Sequence, residues 1–181
     1  AEDAAAMDRL GVDYYYAGML DAIYRVPDAY NSRATLYRPP VATDPLLALV
    51  RGLLSDLHRR APDATFFLPL GVGDHVDHLV VFDAAGMFPE SYIAFYDDIN
   101  YALHPGAVEQ RLATIGGRFV ADLIPLDERA LQIKIEAIAA YDSQMDALFG
   151  GTTAMRSAIR DYHAALTATG DTYAERVWRS V

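Results

Sequence analysis

The chain lacks several features that would assign it to common protein classes. It has no cysteine among 181 residues, which excludes a disulfide framework, a thiolate metal site and a cysteine nucleophile. Its 15 basic residues stand against 25 acidic ones, and a net charge of −10 argues against nucleic acid or an anionic membrane as a partner. No apolar run approaches the ~20 residues of a membrane-spanning helix, and no apolar signal core opens the chain. We therefore expect a cytoplasmic protein that binds neither a membrane nor nucleic acid.

The composition is that of an ordinary globular protein, with 52% hydrophobic and 22% charged residues. The length suits one domain spanning 1–181. Strand-like and helix-like patterns alternate, which predicts an α/β sheet with crossover helices. The predicted strands are 12–16, 64–70, 93–96, 119–126 and 173–178, and the predicted helices are 1–10, 43–60, 76–85, 127–149 and 152–170.

The most informative segment is 71–78, which reads Gly-Val-Gly-Asp-His-Val-Asp-His. It follows a strand of buried type, and ligands in open α/β sheets bind beyond the carboxyl ends of strands. The two glycines let the backbone turn sharply. Two imidazoles and a carboxylate within four residues suit Zn²⁺. From the residues alone, a metal site and a helix-capping histidine beside a surface histidine remain alternatives.

Segment 71–78 resembles the second metal motif of the PIG-L (LmbE-like) family of zinc-dependent N-deacetylases. Further segments resemble that family in the same order along the chain; these are 2–12, 20–25, 95–102, 134–149 and 173–178. The resemblance covers nearly the whole chain. It implies a Rossmann-like three-layer sandwich with a mostly parallel sheet.

The family's first motif, His-Pro-Asp-Asp-Glu, is not in this sequence. In the family it supplies one His and one Asp to zinc, and a further Asp that serves as general base. The only His-Pro pair here, at 104–105, is followed by Gly and Ala, which cannot serve. We therefore expect the chain to be the C-terminal portion of a longer domain without its first strand. The motif would lie on a preceding segment or on a second chain.

The resemblance assigns roles to three residues of the motif. His78 is expected to be the third zinc ligand. His75 is expected to stabilise the oxyanion or to protonate the leaving amine, tasks that suit an imidazole. Asp77 is expected to hold an imidazole in place, as the orienting member of a triad does, with a helix cap as the alternative.

Three further residues are expected to bind substrate. Asp98 follows a strand-like run and would line the pocket rim. Tyr96 would stack on a sugar face. Arg25 would reach a polar substrate group, with a salt bridge as the alternative.

Together these expectations describe a zinc-dependent amide hydrolase that removes an acetyl group from an N-acetylated amino sugar or glycoconjugate. Two alternatives stay open. One is a metal-free relative that binds carbohydrate or serves in assembly, and the other is an amidase acting on thiol-sugar conjugates. A homo-oligomer is compatible with either.

Overall fold

The structure is a computed structural model that describes residues 2–168, 170 and 172–181. The chain forms two compact units. We call residues 18–122 with 177–181 the sheet unit, and residues 1–17 with 123–176 the helical unit. Within the described residues, no helix is both long and apolar enough to cross a membrane.

The secondary structure over the described residues is as follows. The helices are α1 (Glu2–Leu10), α2 (Ala22–Arg25), α3 (Arg33–Leu36), α4 (Leu46–Arg60), α5 (Val76–Ala85), α6 (Ala107–Ile115), α7 (Glu128–Ala139), α8 (Asp142–Phe149) and α9 (Thr152–Ala165), with a 3₁₀ turn at Glu90–Tyr92. The strands are β1 (Phe66–Pro69), β2 (Ile93–Tyr96), β3 (Phe119–Leu126) and β4 (Tyr173–Ser180).

The strands form one sheet in the order β1-β2-β4-β3. β1 and β2 are parallel, with a register that runs from Phe66 opposite Ile93 to Pro69 opposite Tyr96. β2 and β4 are antiparallel, with Phe95 opposite Trp178. The α/β class is therefore confirmed, but the expected mostly parallel sheet is wrong. The sheet is mixed because β4 returns along β2 in the opposite direction.

Two helices of the sheet unit form because their apolar residues recur every four positions. In α4 these are Leu46, Val50 and Leu54, and all three are buried. In α5 the buried residues Val76, Val80 and Ala84 follow the same spacing. α5 packs against both α4 and β1. This packing holds the first turn of α5 at the carboxyl end of β1.

The helical unit is held by apolar contacts and by polar pairs, one of which is buried. Its fully buried side chains are Leu131, Ile135, Met155, Ile159 and His163. Nδ1 of His163 donates to the carbonyl of Ala174 at 2.7 Å. On α7, Lys134 forms an ion pair with Glu175. Glu2 on α1 accepts hydrogen bonds from the backbone N–H and hydroxyl of Ser143.

Three predicted elements of this unit differ from the structure, and one of them, the helix predicted at 152–170, already ends at Ala165. Segment 12–16 forms no strand in the described chain, and Tyr15 is 81% exposed there. Aromatic composition is not sufficient, because a strand needs a partner for its backbone hydrogen bonds. The predicted helix 127–149 is divided at 140–141 into α7 and α8. It begins as expected, since the Asp127 carboxylate accepts the N–H of Ala130 at 2.7 Å.

Candidate active site

The candidate site is built on the turn between β1 and α5. Gly71 and Gly73 both have φ +84°, in the region that favours glycine. A Cβ on Gly73 would lie 2.4 Å from the ring of Tyr101, and one on Gly71 would lie 2.9 Å from Nη2 of Arg111. Both positions therefore require glycine for backbone conformation and for space. The turn brings segment 75–78 to the end of the strand.

His75 occupies the N-cap of α5. Its Nδ1 accepts the backbone N–H of Asp77 at 3.3 Å. An imidazole that accepts at Nδ1 in its neutral form carries its proton on Nε2. Burial lowers the pKa of His75, and the neighbouring His78 lowers it further. Near neutral pH, His75 is therefore a neutral hydrogen-bond donor through Nε2.

His78 is fixed by a buried carboxylate. Its Nδ1 lies 2.6 Å from Oδ1 of Asp98, and neither atom makes a hydrogen bond with any other described residue. Oδ2 of Asp98 accepts the backbone N–H groups of Gly71 and Val72, each at 2.8 Å. A carboxylate this close to Nδ1 favours the tautomer with the proton on Nδ1 and the lone pair on Nε2. Metal-ligating histidines have this arrangement.

The position of Asp98 differs from the sequence expectation. It was expected at the pocket rim against substrate, but it is only 2% exposed and lies beneath His78. The physical reason is that β1 and β2 are parallel neighbours, so their carboxyl ends meet at one edge of the sheet. The backbone donors of the β1 turn then hold the carboxylate inward. Had β1 and β2 been predicted as parallel neighbours, their shared carboxyl end would have placed Asp98 beside His78.

Arg25 is also placed differently from the substrate-binding expectation. Its side chain is only 4% exposed and bonds to Asp44 through Nε at 2.7 Å and Nη2 at 2.9 Å. Nη2 also donates to Asp77 at 2.6 Å, and Nη1 donates to the carbonyl of Leu20 at 2.6 Å. Tyr30 donates its hydroxyl to Asp44 at 2.8 Å. Arg25 thus forms buried salt bridges that connect Asp44 to Asp77, which agrees with the salt-bridge alternative.

Asp77 connects these salt bridges to the first turn of α5. Its carboxylate receives Arg25, while its backbone N–H is bound by His75. The sequence analysis expects Asp77 to hold an imidazole through its carboxylate. In the structure the carboxylate closest to an imidazole is instead Asp98, against His78. Asp77 holds the helix start that carries both histidines.

Two tyrosines complete the site, and the sequence analysis identified neither. The ring of Tyr37 contacts His75 at a centroid distance of 5.5 Å, and the ring of Tyr101 contacts His78 at 6.0 Å. The two imidazoles are 5.4 Å apart, and the two phenol rings are 6.0 Å apart. No local pattern marks Tyr37, because it reaches the site from a loop far earlier in the chain.

Tyr96, at the end of β2, is 38% exposed. Burial, together with the charge of Asp98, raises the pKa of Tyr96 to about 12. The phenol therefore keeps its proton at physiological pH. Its stacking on a sugar stays a prediction.

The described residues hold no group of three or more His, Asp or Glu side chains that could bind a metal ion. His78 nevertheless fits a zinc ligand, because the carboxylate of Asp98 lies 2.6 Å from Nδ1, which favours a lone pair on Nε2. A histidine of this kind needs additional ligands to form a catalytic zinc site, which has three protein ligands and an open position.

The chain is similar to solved structures of deacetylases. The zinc-inhibited form of teicoplanin deacetylase superposes with a TM-score of 0.73 at 25% identity, over 99% of this chain and 72% of that one. A deacetylase–teicoplanin complex gives 0.71 at 26% identity, over 99% and 71%. The A40926 pseudoaglycone deacetylase gives 0.69 at 24% identity, over 99% and 68%. No known family profile matches the sequence, and no curated protein matches it. The chain therefore has the α/β fold of these deacetylases.

Proposed function

We propose that this chain carries part of the active site of a metal-dependent N-deacetylase acting on an N-acetylated amino sugar or glycoconjugate. The observation that carries the proposal is the 2.6 Å contact between Oδ1 of Asp98 and Nδ1 of His78 at the carboxyl end of β1, an arrangement that is usual for metal-ligating histidines. The similarity to deacetylases at 25–26% identity supports the same reaction. In this proposal residues 1–181 belong to one domain, which is completed by a segment bearing His-Pro-Asp-Asp-Glu.

In this proposal the metal is zinc, as the resemblance to the PIG-L family implies. His78 would hold it through Nε2, and one His and one Asp of the His-Pro-Asp-Asp-Glu segment would complete the ligand set. Zinc, when bound, supplies an activated water near neutral pH and polarises the acyl carbonyl.

The chain's own residues would then act on the amide. The carboxylate of Asp98, 2.6 Å from Nδ1 of His78, would keep the proton of the ring on Nδ1 and the lone pair of Nε2 toward the metal. His75, whose Nδ1 is occupied by the N–H of Asp77, would present its Nε2–H to the carbonyl oxygen as negative charge develops there. A donor of this kind contributes about 3 kcal/mol to transition-state stabilisation in well-studied enzymes. The other task expected of His75, passing a proton to the leaving amine, requires the protonated imidazole, which the lowered pKa of His75 disfavours.

We expect His75→Ala to lower kcat by about 10²-fold or more while bound zinc persists, because the ring N–H is lost but the ligand is not. Acetate release and zinc content, measured on the same preparations, test this. His75→Ser is the second variant, because serine keeps the cap acceptor of α5 and removes the ring donor. His104→Ala, at an exposed histidine outside the site, is the control. Unchanged turnover with retained zinc would contradict the role of His75.

The function itself is tested by acetate release from an N-acetylglucosaminide. The chain is assayed with Zn²⁺, alone and with a supplied segment that carries His-Pro-Asp-Asp-Glu. We expect acetate and free amine in equal amounts, only with metal and the segment present. Sugar binding without acetate under either condition would favour the non-catalytic alternative. A thiol-sugar conjugate as second substrate tests the amidase alternative.

A further inference from the structure

Four aromatic rings form a cluster in which each ring contacts two of the others; they belong to Tyr37, His75, His78 and Tyr101. Each tyrosine contacts one histidine edge-on, with interplanar angles of 88° for Tyr37 on His75 and 81° for Tyr101 on His78. The two histidines contact each other, and so do the two tyrosines. The phenols therefore flank both imidazoles of the proposed reaction centre. We call Tyr37 and Tyr101 the tyrosine pair.

The hydroxyl groups of the tyrosine pair are 3.2 Å apart and bonded to each other. This is the only hydrogen bond that either hydroxyl makes with the described residues. One such bond uses one O–H and one lone pair, so the pair keeps one free O–H donor and free acceptor lone pairs. Both side chains are half-buried. The pair thus offers a donor and an acceptor side by side, next to His75 and His78.

The backbone fixes Tyr101 in this place. Asn100 has φ +84°, a conformation that asparagine tolerates better than most residues. The N–H of Ala102 bonds to the carbonyl of Asp98 at 2.9 Å, which closes the turn between them. The ring then packs against Gly73, where any Cβ would overlap it. The phenol is held by the same turn that carries the two histidines.

We propose that the tyrosine pair binds a sugar hydroxyl of the substrate beside its N-acyl group. A hydroxyl both donates and accepts, so it matches a pair that offers both. A carboxylate would use only the free O–H donor of the pair, and an ammonium group would use only its acceptor lone pairs. In either case the other group of the pair would be left without a hydrogen bond, which lowers affinity. This inference rests on the proposed function and specifies which residues recognise the sugar.

The test compares Tyr37→Phe, Tyr101→Phe and the double variant with Tyr92→Phe. Tyr92 is a suitable control because its ring lies in a separate aromatic cluster with His58. Losing a neutral hydrogen bond predicts a roughly 3–10-fold higher KM for the N-acetylglucosaminide, with kcat within about twofold of the original. A substrate that lacks the adjacent sugar hydroxyl should lose this sensitivity. Thermal unfolding checks that each variant is folded.

A binding measurement separates this inference from the proposed function. NMR titration of the chain with the N-acetylglucosaminide, without metal, should show the same 3–10-fold weakening in the tyrosine variants and none in Tyr92→Phe. If the protein releases acetate but the variants match the control in KM and in binding, the tyrosine pair is not a sugar site. If binding depends on the pair but no acetate is released, the function fails and the inference stands. If the chain binds no sugar, the inference is overturned.

Discussion

Asp98→Asn should reduce both zinc affinity and acetate release by at least about 10²-fold, although the residue is buried and touches no substrate. The reason lies in the three nitrogen atoms around the carboxylate, which are the backbone N atoms of Gly71 and Val72 and Nδ1 of His78. Oδ2 is surrounded by the N–H groups of Gly71 and Val72, so an asparagine must place its carbonyl oxygen there. Its NH₂ then faces Nδ1 of His78. Two donors cannot face each other, so the proton of His78 moves to Nε2.

The consequence is a histidine in the wrong tautomer for its task. With Nε2 protonated, His78 has no lone pair toward the metal. The same logic applies to the buried aspartate of serine proteases, where replacement by asparagine keeps the geometry but costs about 10⁴-fold in kcat. The account therefore predicts a large loss of function with little change in fold.

Imidazole ¹⁵N NMR identifies the tautomer of His78 directly, and zinc titration measures the affinity. Asp83→Asn, at an exposed position on α5, is the matched control. Asp98→Asn with an unchanged tautomer and unchanged zinc affinity would show that the carboxylate does not orient His78.

Arg25→Met should lower the free energy of unfolding by about 3–5 kcal/mol, because it leaves buried charge without its partner. Asp44 has 1% side-chain exposure and would lose both bonds from the guanidinium. Asp77 would lose its bond as well, which loosens the helix start that carries His75. Chemical denaturation measures the change. Arg51→Met, on the exposed face of α4, is the control and should change stability by less than about 0.5 kcal/mol.

The effect of Arg25→Met should depend on pH. Burial alone would raise the pKa of Asp44, but the hydrogen bonds from Arg25, from the N–H of Leu46 and from Tyr30 outweigh it and hold that pKa below its ordinary value. A carboxyl whose pKa is lowered by folding stabilises the fold above its unfolded pKa, and loses that contribution as the pH falls through its folded pKa. The difference in free energy of unfolding between the original protein and Arg25→Met should therefore become smaller as the pH is lowered into the acid range. An equal gap at neutral and acid pH would contradict an ionic role for Arg25.

The parts of the fold that depend on local pattern were predicted from the sequence. The helix predicted at 76–85 and the helix start at Asp127 are encoded within a few residues, and both appear in the structure. Segment 12–16 could not be settled in this way, since strand formation depends on a partner distant in sequence. The direction of β4 is likewise a matter of tertiary packing, and the mostly parallel sheet that the resemblance implied did not anticipate it.

The site shows the same division between local and tertiary information. Segment 71–78 could be recognised because its glycines and histidines lie within eight residues. The carboxylate that holds His78 comes from another strand, and the phenol over His75 comes from an early loop. Arg25 was expected to bind substrate, because the sequence does not show that its guanidinium N–H groups are already hydrogen-bonded to Asp44 and Asp77.

The central claim is that His78 is a metal ligand, and zinc content tests it most directly. Equilibrium dialysis against Zn²⁺, followed by metal analysis, is carried out on the protein together with the His-Pro-Asp-Asp-Glu segment. The original sequence, His78→Ala and His104→Ala are compared. The account predicts close to one zinc per chain for the original and for His104→Ala, and a loss of stable zinc in His78→Ala, since two protein ligands are too few for a catalytic site. Undiminished zinc content and affinity in His78→Ala would contradict it.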